Sequence, residues 1–205
     1  EGGMRPTLVV APNSLVFNWI AEAARFAPEL RTLDYTGLDR GARAGDLGDA
    51  GNLARWDLVV TTYGTLRRDA LALSEVEFDY VVLDEATSIK NASSQAAKAA
   101  RLMRGRHRLA LSGTPIENHL GELWSRFEFL NPGMLGASTA FQRFAKAGRS
   151  PEDLEALSRA LAPFFLRRTN GEVLQDLPEK TEQVVLCELG KKERKRYDEV
   201  RAHFR

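Results

Sequence analysis

Short apolar runs, each closed by turn residues, mark out the first half of the chain. Thr7 to Ala11 (TLVVA) has the unbroken hydrophobicity of a strand covered on both faces. It is closed by Pro12-Asn13-Ser14, and Ser14 is the expected N-cap of a helix reaching about Phe26, with Leu15, Trp19, Ala23 and Phe26 on its apolar face. Arg31 to Tyr35 predicts a second strand. Residues 37–51 hold Gly37, Gly41, Gly45, Gly48 and Gly51 among charged residues with no apolar period, which predicts a loop. Asp57 to Thr62 (DLVVTT) predicts a third strand, and Tyr63-Gly64-Thr65 opens a helix to about Leu73. A fourth strand begins at Phe78 and ends in the acids Asp84 and Glu85. An alanine-rich helix from about Ser93 to Met103 follows, then a fifth strand over His107 to Ser112, which runs into Gly113, Thr114 and Pro115. Strands alternating with helices at this spacing predict an α/β fold with a mainly parallel sheet and right-handed crossovers.

The pattern changes after this. Leu120 to Leu130 is amphipathic, with Leu123, Trp124, Phe127 and Leu130 on one side, and is stopped by Asn131-Pro132-Gly133. Short helical patterns continue to about Phe165, with Ser150-Pro151-Glu152-Asp153 as a helix start. Thr181 to Leu189 predicts one further strand, and Lys191 to Arg205 a charged helix. The expected organisation is therefore an α/β lobe over 1–132 and a mostly helical extension over 133–205.

Composition narrows the classes of function without selecting one. The 205 residues suffice for a substantial core, with 43% hydrophobic and 28% charged residues. No run approaches the ~18 apolar residues of a membrane span, and the first residues carry no signal-peptide pattern, so a cytosolic protein is expected. The lone Cys187 excludes an internal disulfide, and His107, His119 and His203 are too scattered to suggest a zinc site. A net charge of +1 is uninformative overall. Locally, Arg101, Arg104, Arg106 and Arg108 precede or enter one strand, and Lys191 to Arg196 form a basic run. Such runs are more often solvated faces than nucleic-acid contacts.

The chemistry sits in Phe78 to Thr87 (FDYVVLDEAT). A buried strand ending in two adjacent carboxylates places Asp84 and Glu85 at the carboxyl end of the sheet, where open α/β folds bind ligands. Acids there suit a metal-bound phosphate and its attacking water. The same pattern also describes a covered strand followed by a solvated acidic turn.

Several segments together resemble the first motor lobe of the SWI/SNF-like ATPases, within helicase superfamily two. Leu8 to Trp19 (LVVAPNSLVFNW) is similar to motif Ia, Val60 to Leu66 (VTTYGTL) to motif Ib, Leu83 to Asn91 (LDEATSIKN) to motif II and Leu109 to Asn118 (LALSGTPIEN) to motif III. Phe164 to Thr169 (FFLRRT) and Leu177 to Glu182 (LPEKTE) resemble the family's link out of this lobe. The resemblance implies a RecA-like sheet in an ATP-driven translocase on double-stranded DNA. On the matching residues, Asp84 is expected to hold Mg²⁺ through water and Glu85 to orient or deprotonate the hydrolytic water. Thr87, Ser112, Gly113 and Thr114 are expected to couple nucleotide state to lobe movement. Pro12, Asn13, Ser14, Thr62, Tyr63 and Gly64 are expected to face one DNA strand, whose phosphates suit hydroxyls and backbone N–H groups. Arg167 and Arg168 are expected either to face DNA or a partner lobe, or only to lay their stems over the helical region. Thr87 stands where relatives usually carry glutamine or histidine, and Asn170 where they commonly carry lysine.

The family's phosphate loop, G-x-x-x-x-G-K-[ST], does not occur; the first lysine is Lys90, already beyond the acids. The expectation is a segment of a larger motor whose other parts supply that loop and a second RecA-like lobe. These 205 residues alone are then expected to hydrolyse no ATP above background, and the sheet to leave an edge open beside the motif III strand. Two other readings stay open: a DNA-binding or scaffold module that has lost the phosphate loop, and a DEAD-box-like RNA helicase lobe.

Overall fold

The computed structural model describes residues 5–44, 50–113, 120–146, 150–168 and 190–203. Five parallel strands, β1 (Thr7–Ala11), β2 (Thr32–Asp34), β3 (Leu58–Thr62), β4 (Glu77–Leu83) and β5 (Arg104–Ala110), form one sheet in the order β2-β3-β1-β4-β5. The predicted α/β class and parallel sheet are thus the observed ones. The predicted strand over Thr181 to Leu189 lies outside the described residues.

Alternation along the strands divides the core into two layers. Leu8, Val10, Val59, Val81 and Leu83 face one side, and Phe78, near the start of β4, is buried in the same cluster. There they pack on α3 (Tyr63–Arg68), α4 (Ala70–Ser74), α5 (Gln95–Leu102) and Phe129 of α6 (Leu120–Leu130). Val9, Ala11, Leu58, Val60 and Val82 face the other side, against Trp19, Ile20 and Ala23 of α1 (Val16–Phe26). The alanines of α5 let that helix lie close: Ala97, Ala99 and Ala100 are all buried. Its start is capped by Ser94, whose hydroxyl accepts the Ala97 N–H at 3.2 Å.

β4 and β5 approach tightly at Gly105. A Cβ built there would stand 2.7 Å from Val81 Cγ2, so a side chain is excluded unless the strand pair moves. Among the described residues β5 has only β4 as a neighbour. On this strand pair Tyr80 and Leu109 are 43% and 44% exposed, and the Tyr80 ring lies 4.7 Å from that of His107. Within β4, Phe78, Val81, Val82 and Leu83 are buried, whereas Glu77 and Tyr80 are exposed.

Several sequence expectations need correction. Ser14 does not cap α1; Asn13–Leu15 form a 3-10 turn with no side-chain cap, and the helix starts at Val16. Phe26 leaves the apolar face and is 71% exposed, with the Arg25 guanidinium 5.0 Å from its ring centroid. The stretch 37–51 is not wholly loop: α2 (Arg40–Ala44) forms because Arg40 grips both carboxylate oxygens of Asp69, which also accepts the Tyr35 hydroxyl at 2.8 Å. Asp69 breaks the single helix expected from Tyr63 to Leu73 into α3 and α4. β5 starts at Arg104, not at His107, and so contains Arg104, Arg106 and Arg108, which with Arg101 do not form one patch. Arg108 is half-buried and donates to the Phe129 and Met103 carbonyls at 2.6 and 2.9 Å, while Arg101 donates to Ala92 at 2.9 Å.

The remaining helices are α7 (Ser138–Lys146), α8 (Pro151–Leu161) and α9 (Lys191–His203). The chain divides into two compact units, Glu1–Leu154 and Glu155–Arg205. In the second, α9 buries none of its residues. No helix among the described residues is long and apolar enough to cross a membrane.

One ion pair gives a pH-dependent expectation. The Arg31 backbone N–H and Nε both donate to Asp57 Oδ2, at 2.8 and 3.0 Å, and Arg31 Nη2 donates to Oδ1 at 2.8 Å, which joins the start of β2 to β3. These bonds hold the Asp57 carboxyl down at about 2. A carboxyl lowered on folding stabilises the fold above its unfolded value near ~4 and loses that contribution as pH falls toward 2. Asp57→Asn is therefore expected to flatten the decline in melting temperature between pH 5 and pH 2. An unchanged decline would show that this pair does not contribute to acid sensitivity.

Candidate nucleotide site

The site is the carboxyl end of the sheet, where β1, β3, β4 and β5 all terminate at neighbouring positions. Ala11 pairs with Thr62, and Val10 with Leu83. Pro12 to Ser14 and Thr62 to Gly64, which leave β1 and β3, therefore emerge side by side, next to the two acids that leave β4. Asn13 and Ser14 are exposed.

Asp84 is anchored at four points. Its N–H donates to the Val10 carbonyl at 2.8 Å, which continues the ladder one step past β4. Its Oδ1 accepts the Glu85 N–H at 2.9 Å, and its Oδ2 accepts the indole N–H of Trp19 at 2.8 Å. Its carbonyl accepts the Tyr63 hydroxyl at 2.8 Å. Burial and the Asp84 charge push the Tyr63 phenol well above its ordinary range, so it remains a donor. Tyr63, expected to face nucleic acid, thus commits its hydroxyl inward to the acid-bearing turn.

Glu85 has φ 47° and ψ 57°, and is the only non-glycine with positive φ among the described residues. This left-handed conformation costs a glutamate on the order of 1 kcal/mol or more and marks the turn as imposed by its surroundings. Those surroundings are visible. The Ala86 N–H donates to Leu111 at 2.8 Å and the Leu111 N–H to Leu83 at 2.8 Å, stitching both sides of the turn to the chain leaving β5. The 3-10 segment Ala86–Ile89 is held in turn by Ser125 of α6, whose hydroxyl donates to the Ile89 carbonyl at 2.6 Å.

That stitching brings the two expected halves of the site together. A Cβ on Gly113 would lie 3.6 Å from Glu85 Oε1, so the segment after β5 stands directly beside the second acid. Ser112 and Gly113 are exposed there, whereas Thr114 lies outside the described residues. Thr87 turns its hydroxyl back to the Glu85 carbonyl at 3.3 Å. Thr62 is used locally as well: its Oγ1 accepts the Thr65 N–H at 3.1 Å and caps α3. Gly64 sits in that first turn with room for a Cβ, 3.7 Å from Thr62 Oγ1. Arg167 and Arg168 are exposed and belong to the second unit.

Sequence reasoning placed Trp19 on the apolar face of α1 and missed its polar end. The available signal was chemical: a tryptophan packed against a sheet still needs an acceptor for its N–H. Trp19 and Asp84 also line a cavity of about 230 Å³ with Leu15, Asn18 and Glu22.

The donor set suits a hydrated divalent cation. Mg²⁺ is usually held by one or two carboxylates together with waters and substrate phosphates, rather than by an all-protein cage. An ionised carboxylate offers about four acceptor positions. The Trp19 and Glu85 N–H groups occupy one on each oxygen of Asp84, which leaves the others for such an ion.

Comparison with known proteins agrees with this geometry. A family model described as the SNF2-related domain matches residues 1–204. The TATA-binding protein-associated factor MOT1 of Saccharomyces cerevisiae is 41% identical over 214 residues, which cover 96% of this chain and 11% of MOT1. A putative ATP-dependent helicase/translocase of Bacillus subtilis, YwqA, is 38% identical over 201 residues, 95% of this chain and 22% of that protein. Among solved structures, the Sulfolobus solfataricus SWI2/SNF2 ATPase core in complex with dsDNA superposes with a TM-score of 0.75 at 38% identity, covering 99% of this chain and 42% of that one. The chain thus spans about a tenth of MOT1 and about two fifths of the solved core. With an acidic turn after β4 facing the segment after β5, and a family match over nearly its whole length, this chain belongs to the SNF2-related domain family.

Proposed function

We propose that the chain is the first RecA-like lobe of an ATP-driven translocase on double-stranded DNA. The observation that carries this reading is the placement of Gly113 beside Glu85 at the open end of a parallel sheet. The names of the relatives, an ATP-dependent helicase/translocase and an ATPase core solved with dsDNA, support the same class.

In this reading Asp84 and Glu85 divide the work at the γ-phosphate. Mg²⁺, when bound, neutralises charge on the phosphate oxygens. Asp84, fixed on both oxygens, holds the hydrated ion in place. Glu85, set forward by its left-handed backbone, orients or deprotonates the attacking water. Ser112, Gly113 and Thr114 sense the change at Glu85 and pass it to a second lobe, and Thr87 steadies the turn between them. Pro12 to Ser14 and the backbone of Thr62 to Gly64, whose Tyr63 and Thr62 hydroxyls are engaged within the chain, face the DNA backbone, with Arg167 and Arg168 adding charge toward DNA or the second lobe. The side of β5 that has no partner strand among the described residues fits the position of a phosphate-loop strand, and we place the functional end of the lobe near 132, inside the first compact unit, with 133–205 as a helical extension.

The test is ATP turnover by the full-length protein with duplex DNA, single-stranded RNA or no nucleic acid, across a salt series. Duplex DNA of any sequence is expected to stimulate turnover, and higher salt to weaken that stimulation, because phosphate contacts release counterions. Stimulation by RNA alone would point to an RNA helicase lobe. Turnover indifferent to nucleic acid would remove the translocase reading.

A further inference from the structure

We propose that Trp19 is a positioning residue for Asp84, one that sets the direction in which the carboxylate meets a hydrated Mg²⁺–nucleotide; the inference rests on the nucleotide-site reading above. The indole ring packs with the α1-side core, among Val9, Val60 and Val82 and the neighbouring Ile20 and Ala23, while its N–H reaches Asp84 Oδ2 at 2.8 Å. An indole is rigid and has only two side-chain torsions, so packing the ring fixes the direction of the donor.

The effect on Asp84 is specific. Its Oδ1 is held by the N–H of the next residue, a contact that alone would leave the carboxylate free to swing about that point. The Trp19 N–H on Oδ2 supplies the second point, and two donors on two oxygens determine the carboxylate plane. Tyr63, on the carbonyl, fixes the backbone but not the side chain. The choice of donor matters too. Tryptophan donates without carrying charge and does not titrate, so it orients the carboxylate without neutralising it, whereas a lysine or arginine at the same point would compete with the cation. Trp19 lies in α1, the helix that follows Pro12 to Ser14, so movement at that turn has a short route to the acid.

The experiment uses the full-length protein with Trp19→Phe and, in a second variant, 3-benzothienylalanine at position 19, which keeps the bicyclic shape and replaces the N–H with sulfur. Three quantities are read: the Mg²⁺ concentration for half-maximal ATP turnover, the affinity for Mn²⁺ with ADP by electron paramagnetic resonance, and ATP affinity in the presence of a chelator. Both variants are expected to raise the first and weaken the second by about 10-fold, the usual scale for losing an outer partner of a metal ligand. Chelated ATP binding should stay unchanged. Unaltered Mn²⁺ affinity in the benzothienyl variant, or an equal loss of chelated ATP binding in both, would reduce Trp19 to a packing residue. If the unsubstituted protein showed neither Mg²⁺-dependent turnover nor Mn²⁺ binding, the nucleotide-site reading would fall with it. Intact wild-type behaviour with unresponsive variants would remove this inference alone.

Discussion

Glu85→Gln in the full-length protein is expected to lower ATP turnover by about 10³-fold, the middle of the range for a positioned acid–base group, while nucleotide and DNA binding persist. The amide has nearly the shape of the carboxylate and donates or accepts hydrogen bonds, but it cannot take a proton from water. The surrounding turn should survive the exchange. It is held by backbone hydrogen bonds among Ala86, Leu111 and Leu83, none of which uses the Glu85 side chain. A single-turnover measurement separates loss of chemistry from slow product release. A variant that hydrolyses ATP at the wild-type rate would mean that Glu85 does not serve the water, and the division of labour between the two acids would have to be redrawn.

Phe78→Ala is expected to have the largest effect on stability, about 4 kcal/mol, because it removes a fully buried aromatic side chain from β4 and leaves a cavity that neighbours fill only in part. The ring belongs to the core layer shared with Leu66, Leu73 and Ala100, so no solvent reaches the space it leaves. Urea unfolding followed by circular dichroism measures the loss. Tyr80→Ala, two residues along the same strand but 43% exposed, is the natural comparison and should cost clearly less. Equal losses at the two positions would contradict the difference in burial between them.

How much of this was legible beforehand depends on the range of each interaction. The strands were visible because a fully covered parallel strand is apolar at almost every position, as Thr7–Ala11 and Leu58–Thr62 show. The acids were legible only in company: a solvated acidic turn leaves the same local pattern, and the neighbouring segments that resemble motifs Ia, Ib and III made the difference. Loop 37–51 was misjudged because Arg40 owes its place to Asp69, 29 positions away, and glycines alone say nothing of that partner. Trp19 was half understood: the period of α1 put its ring inside, but the acceptor for its N–H lies 65 positions on. Tyr63 was assigned outward from the resemblance of its segment, while the structure turns its hydroxyl to a carbonyl 21 positions away. Backbone sign at Glu85 leaves no compositional trace, since nothing about a glutamate announces a positive φ.

The unusual backbone at position 85 also has a meaning over generations. Glycine would sit there with less strain, so mutation and selection for folding alone would tend to carry a lineage away from glutamate. A lineage that keeps the acid does so against that drift. Its presence among descendants would record continued use, and its replacement by glycine would be an early mark of a motor going silent.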